Sequence, residues 1–469
     1  MRRIITISLC FIALSTAGQV TFEQTYGGVD GDLGSSVEQT SDGGYALFGV
    51  TWNTGGASAD MYLVKTDAYG VEQWSHTYGT VNQDMGYNAR ETSDGGFILC
   101  GMVGSFGTDT LTLVRTNANG DPLWTRQYPG SLGRDIGFSV QETSDGGFAV
   151  CGFTENTGVA EDVYVVRTEA NGDTLWTRTV DLGGSEVGWT LRQTDDDGFI
   201  VLANSYTFAD PDGDMYLIRF DASGDTLWTR TIVSPGVDEA HGLAITADGG
   251  FIIAGGNGNP SRDILLVRTD EFGMEQWRRT HATLGDEMVM DVQMMDDGGF
   301  ICGGRKEDLL TSDTRMHLFR TDPDGYIQWE RTFQQGIFSA ANSLDRTSDG
   351  GFVLLGYTVD TLAGTAYVDM YLVKTDGAGY SSVIPITSAS EHVLVFPNPT
   401  VERVELDAGT GHLTSATLYD AAGHRVLNRT FIGVSMAELK VDHLSNGAYV
   451  LVVGSGKGTI STHALHIVH

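Results

Sequence analysis

Residues 141–179 read QETSDGGFAVCGFTENTGVAEDVYVVRTEANGDTLWTRT, and this unit recurs along most of a 469-residue chain. Its first landmark is the aromatic that follows a Gly-Gly turn: Tyr45, Phe97, Phe148, Phe199, Phe251, Phe300 and Phe352. Its second is a tryptophan near the end of the unit: Trp74, Trp124, Trp176, Trp228, Trp277 and Trp329. A fixed period near 50 residues marks a solenoid, a propeller or an array of units that bury their apolar faces on one another. Each unit reads as four short strands. In the first they are Gly34–Thr40, then after the SDGG turn Tyr45–Phe48 with Gly49 ending it, then Met61–Thr66, and after a second turn at Asp67–Gly70, Glu72–Thr77. Strands with turn signals at this spacing predict an all-β architecture. The second and third strands, such as Phe251-Ile252-Ile253-Ala254 and Ile264-Leu265-Leu266-Val267, are apolar at every position. A sheet covered on both faces needs that pattern, whereas a half-solvated sheet alternates.

Four-stranded sheets packed face to face around an axis make a β-propeller. There are seven Gly-Gly turns and six tryptophans, because no Trp strand follows Met370–Thr375. The missing strand stands at the other end, where Thr21-Phe22-Glu23-Gln24-Thr25-Tyr26-Gly27 aligns with Gln73-Trp74-Ser75-His76-Thr77-Tyr78-Gly79, with Phe22 in the tryptophan position. The expected fold is therefore an all-β, seven-bladed β-propeller over residues 18–380, its N-terminal strand closing the last blade and removing an open edge. The turn and Leu-Trp pairs such as Asn171-Gly172-Asp173-Thr174-Leu175-Trp176 resemble the tryptophan-docking motif of quinoprotein-like propellers. That resemblance implies the fold and carries no cofactor site with it.

Lys and Arg number 28 against 61 Asp and Glu, for a net charge of −33. Such a surface repels phosphate backbones and anionic membranes, which argues against nucleic-acid partners and suits a solvated exported protein. The 62 glycines beside 9 prolines read as many tight turns. Arg2-Arg3, the apolar run Ile4–Leu14 and the small residues Ser15-Thr16-Ala17 read as a signal peptide over residues 1–17. No later stretch is long and apolar enough to be a transmembrane helix. Cys100, Cys151 and Cys302 remain after cleavage, an odd number that reads as small buried hydrophobes.

The period stops at a linker over residues 381–392. Residues 393–469 carry short strand-like runs separated by turns, which predicts a small antiparallel, Ig-like β-sandwich. Phe396-Pro397-Asn398-Pro399, Asp420 and Gly423 with Val426, and Leu444, Gly447 and Tyr449 resemble the type A C-terminal sorting domain of the type IX secretion system. The resemblance covers the whole tail. It implies that Pro397, Asn398, Pro399, Asp420, Gly423, Gly447 and Tyr449 form an export address, read by the type IX machinery at the outer membrane, on a secreted or cell-surface protein.

Three sets of side chains are candidates for sites. Asp32, Asp84, Asp135, Glu186, Asp238 and Glu287 recur just ahead of the first strand of their units, with Ser339 in the seventh. They either ring one channel mouth, holding a cation or a basic group, or cap their own loops. Asp210, Asp212 and Asp214 have the alternating spacing of a Ca2+ loop without its distal glutamate. Ca2+ is the one cofactor these sets suit. The basic residue of each third strand, from Lys65 to Lys374, could bind an anion, but seven symmetric copies next to Asp67-type residues read rather as intra-blade ion pairs or capping bonds. The four histidines of the repeats stand in no hydrolase or metalloprotease frame, and the units are uniform. The sequence thus points to a monomeric, noncatalytic binding scaffold for an extracellular glycan, peptide or polymer. The alternative is a secreted hydrolase or lyase with its site at the channel mouth.

Overall fold

The computed structural model describes residues 19–467 apart from residue 29 and the segments 53–57, 105–106, 131–132, 157–159, 207–212, 234–237, 259–260, 283–284, 309–312, 363–364, 382–393, 397–399, 408–411, 420–424 and 456–459. The signal peptide expected over residues 1–17 lies outside the described residues, as does most of the linker. Every regular element described is a β-strand, and among the described residues no helix is long and apolar enough to cross a membrane. The chain divides into a repeat unit over Val20–Ser381 and a C-terminal unit from Ser382 onward.

Five antiparallel sheets of four consecutive strands follow one another over Asp32–Tyr78, Gln83–Gln127, Asp135–Val180, Ser185–Ile232 and Asp238–His281. The strands of Glu287–Phe333 pair in the same order, and a single parallel bridge from Thr314 to Phe338 joins them to the last three strands. Those three end at Thr375, and Phe22–Tyr26 supplies the fourth, pairing antiparallel with Met370–Lys374. The result is a propeller-like repeat of four-stranded sheets. In the first sheet the strands run Asp32–Gln39, Tyr45–Thr51, Asp60–Thr66 and Glu72–Tyr78. All seven residues of Tyr45–Thr51 are buried, as a sheet packed on both faces requires. The strand passes through Gly49, which the sequence had marked as its end. The glycine serves close approach instead: a Cβ there would overlap the carbonyl oxygen of Leu33 on the inner strand.

The two glycines of the SDGG turn have different reasons. Gly146 has φ +82° with nothing within 4 Å of the position of a Cβ. Gly147 has ordinary φ, but a Cβ would overlap Thr168 O and Arg167 Nη1. Gly146→Ala should therefore cost only the left-handed backbone penalty, about 1–2 kcal/mol. Gly147→Ala should cost more, about 3 kcal/mol, because buried backbone must shift. Urea melts of the two variants check the order, and equal costs would contradict it. In the fourth unit Asp197 takes the first glycine's place, at φ 61°.

The repeat aromatics bind each sheet to the next. Trp74 meets Phe97 at 5.9 Å between ring centroids, Trp176 meets Phe199 at 5.8 Å and Trp329 meets Phe352 at 6.1 Å. Phe22 meets Tyr45 of the first sheet at 5.9 Å in the same way. Each outer aromatic also covers the glycine of the following unit's second turn: a Cβ on Gly70 would overlap Phe22, and one on Gly379 would overlap Trp329. Tyr26, Val37, Tyr45, Leu47 and Val64 share one core with Val353, Leu355, Met370 and Leu372, so the first and last sheets are packed together.

The C-terminal unit has two antiparallel sheets. One contains Leu394–Phe396, Arg403–Asp407 and Met436–Lys440. The other contains Leu413–Tyr419, Arg425–Val434, Gly447–Ser455 and Ile460–Ile467. They share a core that includes Val404, Leu406, Leu418, Leu439, Leu451 and Leu465.

Candidate functional site between the inner strands

The first strand of every unit carries a β-bulge at the same place. The ladder skips Ser35, Tyr87, Phe138 and Trp189 in the first four units. It skips His241, Met290 and Asn342 in the other three. A bulge leaves one residue unpaired and re-aims its side chain. All seven skipped residues line a single cavity of ≈250 Å³. In most units the side chain of the residue after the bulge ties the inner strands together. Ser36 Oγ accepts the N–H of Ala89 at 3.3 Å, and Asn88 Oδ1 that of Val140 at 3.1 Å. Ser139 Oγ accepts the N–H of Leu191 at 3.3 Å, and Asp291 Oδ2 that of Leu344 at 3.0 Å. Ser343 Oγ accepts the N–H of Val37 at 3.2 Å, which links the seventh unit to the first.

The cavity is lopsided because the bulge residues differ. Tyr87 and Phe138 lie 4.7 Å apart between centroids, Phe138 and Trp189 4.5 Å, and Trp189 and His241 4.4 Å. These four make an aromatic arc on one side, while Ser35, Met290 and Asn342 complete the other. Asn342 Nδ2 donates to Gly34 O at 2.8 Å. Surrounding protein, with Arg305 and Arg262 nearby, pulls His241 down to about 3, so its imidazole is neutral at physiological pH. Arg90, Arg192 and Asp291 also line the cavity. Arg90 and Arg192 extend into a second cavity of ≈430 Å³, where Glu38, Gln141, Gln293 and Arg346 join them. Burial lowers Arg90, but Glu38, Asp345 and Asp291 outweigh it and leave its pKa raised. Burial and then Arg90 pull Arg192 down to about 10, so it remains protonated at neutral pH. Burial raises Asp291, against the pull of Arg192 and Arg90.

The acidic set ahead of the inner strands lies elsewhere in chemistry. Asp32, Asp84, Asp135, Glu186, Asp238 and Glu287 are all buried, at 0–3% exposure, each at or next to the start of its inner strand. Asp32 Oδ2 accepts the N–H of Gly28 at 2.8 Å, and Asp135 Oδ2 that of Gly130 at 2.8 Å. Glu186 accepts the N–H groups of Leu182 and Gly184, and Asp84 those of Thr80 and Gly104. Asp238 accepts from Asn257, and Glu287 faces Lys306 at 3.2 Å. Loop N–H groups and side chains of their own unit thus take at least one oxygen each of Asp32, Asp84, Asp135, Glu186 and Asp238. Ser339 does the same work in the seventh unit, where its Oγ accepts the N–H of Gln335 at 3.1 Å. Asp162, Asp181 and Glu186 bring one ligand oxygen each within 4.8 Å of one another, a hard oxygen set of the kind Ca2+ takes. Asp214 begins the strand Asp214–Phe220, whereas Asp210 and Asp212 lie outside the described residues.

The basic residue of each third strand pairs with the aspartate of its own unit's SDGG-type turn, not with the Asp67-type residue. Lys65 meets Asp42 at 2.9 Å, Arg115 meets Asp94 at 2.5 Å, Arg219 meets Asp196 at 2.6 Å and Lys374 meets Asp349 at 3.0 Å. Asp67 instead accepts the N–H groups of Tyr69 and Val71. A hydrogen bond from Thr92, with the N–H of Gly96 and Arg115, brings Asp94 down to about 2 against the opposing effect of burial. A carboxylate depressed in the folded state contributes stability above its unfolded pKa, about 3.9, and loses it as pH falls toward its folded pKa. The stability difference between the wild type and Asp94→Asn should therefore be constant above about pH 4 and shrink toward pH 2. Urea melts from pH 2 to 7 check this, and a difference independent of pH would contradict it.

Cys100, Cys151 and Cys302 are buried free thiols, held protonated by burial. In the C-terminal unit Tyr449 is buried in the core and its hydroxyl donates to Ser445 O at 2.8 Å, just before the strand that Gly447 opens. Pro397, Asn398, Pro399, Asp420 and Gly423 lie outside the described residues.

Residues 394–467 match the family of secretion system C-terminal sorting domains. The tail is thus a type IX sorting domain, which engages the secretion machinery and sends the chain across the outer membrane to the cell surface or beyond. No curated protein matches the chain. Among solved structures, it is similar to the extracellular domain of a hybrid two-component system from B. thetaiotaomicron at 10% identity and a TM-score of 0.44, covering 95% of this chain. It spans 57% of that protein's chain. It is also similar to Sqt1 from Chaetomium thermophilum at 11% identity and a TM-score of 0.43, covering 82% of this chain and 97% of that one.

Proposed function

We propose that this protein is an exported, noncatalytic binding scaffold whose seven units close a seven-bladed propeller and whose extracellular ligand enters the cavity between the inner strands. The observation that carries the reading is the set of seven bulges: every unit gives one re-aimed side chain to the same cavity. Uniform packing residues surround it, so chemical individuality is concentrated where a ligand would sit. Closure is supported by the docking of Phe22 on Tyr45, by the shared core of the first and last sheets, and by the hydrogen bond from Val37 to Ser343. The repeated seating of tryptophan on turn glycine supports the likeness to quinoprotein-like propellers. The domain reading is a signal peptide over 1–17, a propeller over 18–380, a linker over 381–392 and an Ig-like sorting domain over 393–469. The ligand class is a glycan, a peptide or a polymer segment.

The second reading, a secreted hydrolase or lyase, draws on the presence of Asp291 and His241 in the cavity wall. Both are poorly placed for proton transfer. Asp291 accepts the backbone N–H groups of Val292 at 2.9 Å and Leu344 at 3.0 Å, and His241 at about 3 is a weak base. The test is a glycan and peptide binding array on the purified full chain and its Trp189→Ala variant, with product analysis of every hit. Binding that is lost in the variant, without turnover, supports the scaffold. New reducing ends or unsaturated products support the enzyme, and hits unaffected by the variant put the site outside the cavity.

A further inference from the structure

The next step rests on the cavity being the binding site and concerns what chemistry fits it. The arc from Tyr87 through Phe138 to Trp189 offers aromatic faces within one wall. Flat faces of this kind bind a ring by stacking or by its apolar C–H face. In the same wall, Trp189 Nε1 is buried and has no protein acceptor. A buried indole N–H ordinarily has a partner. The cavity therefore holds an apolar surface and a donor that no protein group uses.

The charges around it are uneven. Arg192 Nη1 donates to Leu191 O at 2.9 Å, and among the described residues no carboxylate lies within ion-pair distance of its guanidinium. The repeated basic residues of the third strands are different, since each has its own carboxylate, as Arg115 has Asp94 at 2.5 Å. Arg90 stands 3.9 Å from Glu38, a distant pair. Asp291, the acid in this cavity, spends its oxygens on the N–H groups of Val292 and Leu344. A guanidinium held inside protein without a paired anion is costly, and its planar donor fork matches a carboxylate. The chain's net charge of −33 repels an anion at long range, but Arg192 acts well inside the roughly 8–10 Å over which salt lets charges be felt.

Size narrows the choice. A cavity of roughly 150 Å³ takes one benzene ring, and drug-sized sites begin near about 300 Å³. At ≈250 Å³ this one suits a single ring with a small substituent. We propose that the cavity takes one six-membered ring bearing a carboxylate, the ring lying against Phe138 and Trp189 and the carboxylate on Arg192. A sugar acid and an aromatic acid share this chemistry.

Isothermal titration of the full chain separates the terms, with D-glucuronate and 4-hydroxybenzoate as ring acids, glucose as a ring without the acid, and acetate as the acid without a ring. At least one ring acid should bind tenfold or more tightly than both glucose and acetate. Which one does so identifies the source. Arg192→Gln should remove that tenfold preference, Arg192→Lys should keep part of it, and Trp189→Phe should weaken the ring acid severalfold. Thermal melting confirms that the variants are folded. Glucose binding as tightly as glucuronate, or a ring-acid affinity unchanged in Arg192→Gln, overturns the acid-ring assignment. If that binding still falls in Trp189→Phe, the cavity reading survives. Binding indifferent to both positions overturns the assignment and the cavity together. Failure of both ring acids to bind overturns the assignment alone.

Discussion

Deleting residues 393–469 is expected to leave a folded repeat unit stranded in the periplasm, with surface and extracellular protein reduced to background. The tail matches a secretion sorting domain over residues 394–467, and it has a core of its own, including Val404, Leu418, Leu451 and Leu465. The sheets of Val20–Ser381 have separate cores, so the deletion removes the address without removing those contacts. Cell fractionation and protease accessibility locate the protein, and a thermal melt of the periplasmic material checks that it is folded. Delivery of the truncated chain to the surface at the wild-type level would overturn the assignment of export to the tail. Loss of the protein from every fraction would instead show that the tail is needed for folding or survival.

Deleting residues 19–26 is expected to have the largest effect on stability of any change of similar size. The strand Phe22–Tyr26 pairs residue for residue with Met370–Lys374, and its removal leaves an unpaired edge on the last sheet. Such edges invite association with other chains. Tyr26 is buried in the core that joins the first and last sheets, and its hydroxyl donates to Gly70 O at 2.5 Å. Phe22 covers Gly70 and packs on Tyr45. Truncating one large core aromatic costs roughly 3–5 kcal/mol, and the deletion removes two aromatics and a ladder. Whole-domain stability is commonly about 5–15 kcal/mol, so the deletion should abolish a cooperative melt and produce aggregates in sedimentation. Phe22→Ala alone should cost about 3 kcal/mol, while Phe22→Trp should be neutral or stabilising, since six other units place tryptophan there. A deletion that melts cooperatively within a few degrees of the wild type would contradict this account.

The repeat was legible because its signals are local. A turn glycine, an aromatic after it and a tryptophan at fixed spacing each describe one position's backbone or packing, and the local alignment of Thr21–Gly27 with Gln73–Gly79 matched Phe22 to Trp74. The tail was legible through a short set of motif residues. The acidic positions were found but left open between ring and cap, because a residue's number does not say which way its carboxylate turns. The bulges were missed altogether. A bulge is a mismatch between two strands, and neither strand shows it alone. A signal was nonetheless present: Ser35, Tyr87, Phe138 and Trp189 each follow a glycine at one repeat position, and that position varies widely in size and polarity from unit to unit. In an array of near-copies, a position that changes size and polarity from unit to unit is one that packing does not dictate. Each third-strand base was expected to pair within its own unit, and it does, but its partner could not be named for a related reason. Asp67 stands two residues from Lys65 in sequence, yet antiparallel pairing brings Asp42 to it across the sheet.

The seam between Phe22–Tyr26 and Met370–Lys374 also sets how the repeat unit responds to tension. Phe22 faces Lys374 and Tyr26 faces Met370, so the two outgoing ends of the unit leave from the same side of the ladder. Traction applied to both ends loads those hydrogen bonds one after another, beginning at Phe22 and Lys374, and does not load all of them in shear. A peeling ladder yields at far lower force than a sheared one. A chain held at one end and tugged at the other would open there first, while the sheets between those two strands would still be intact.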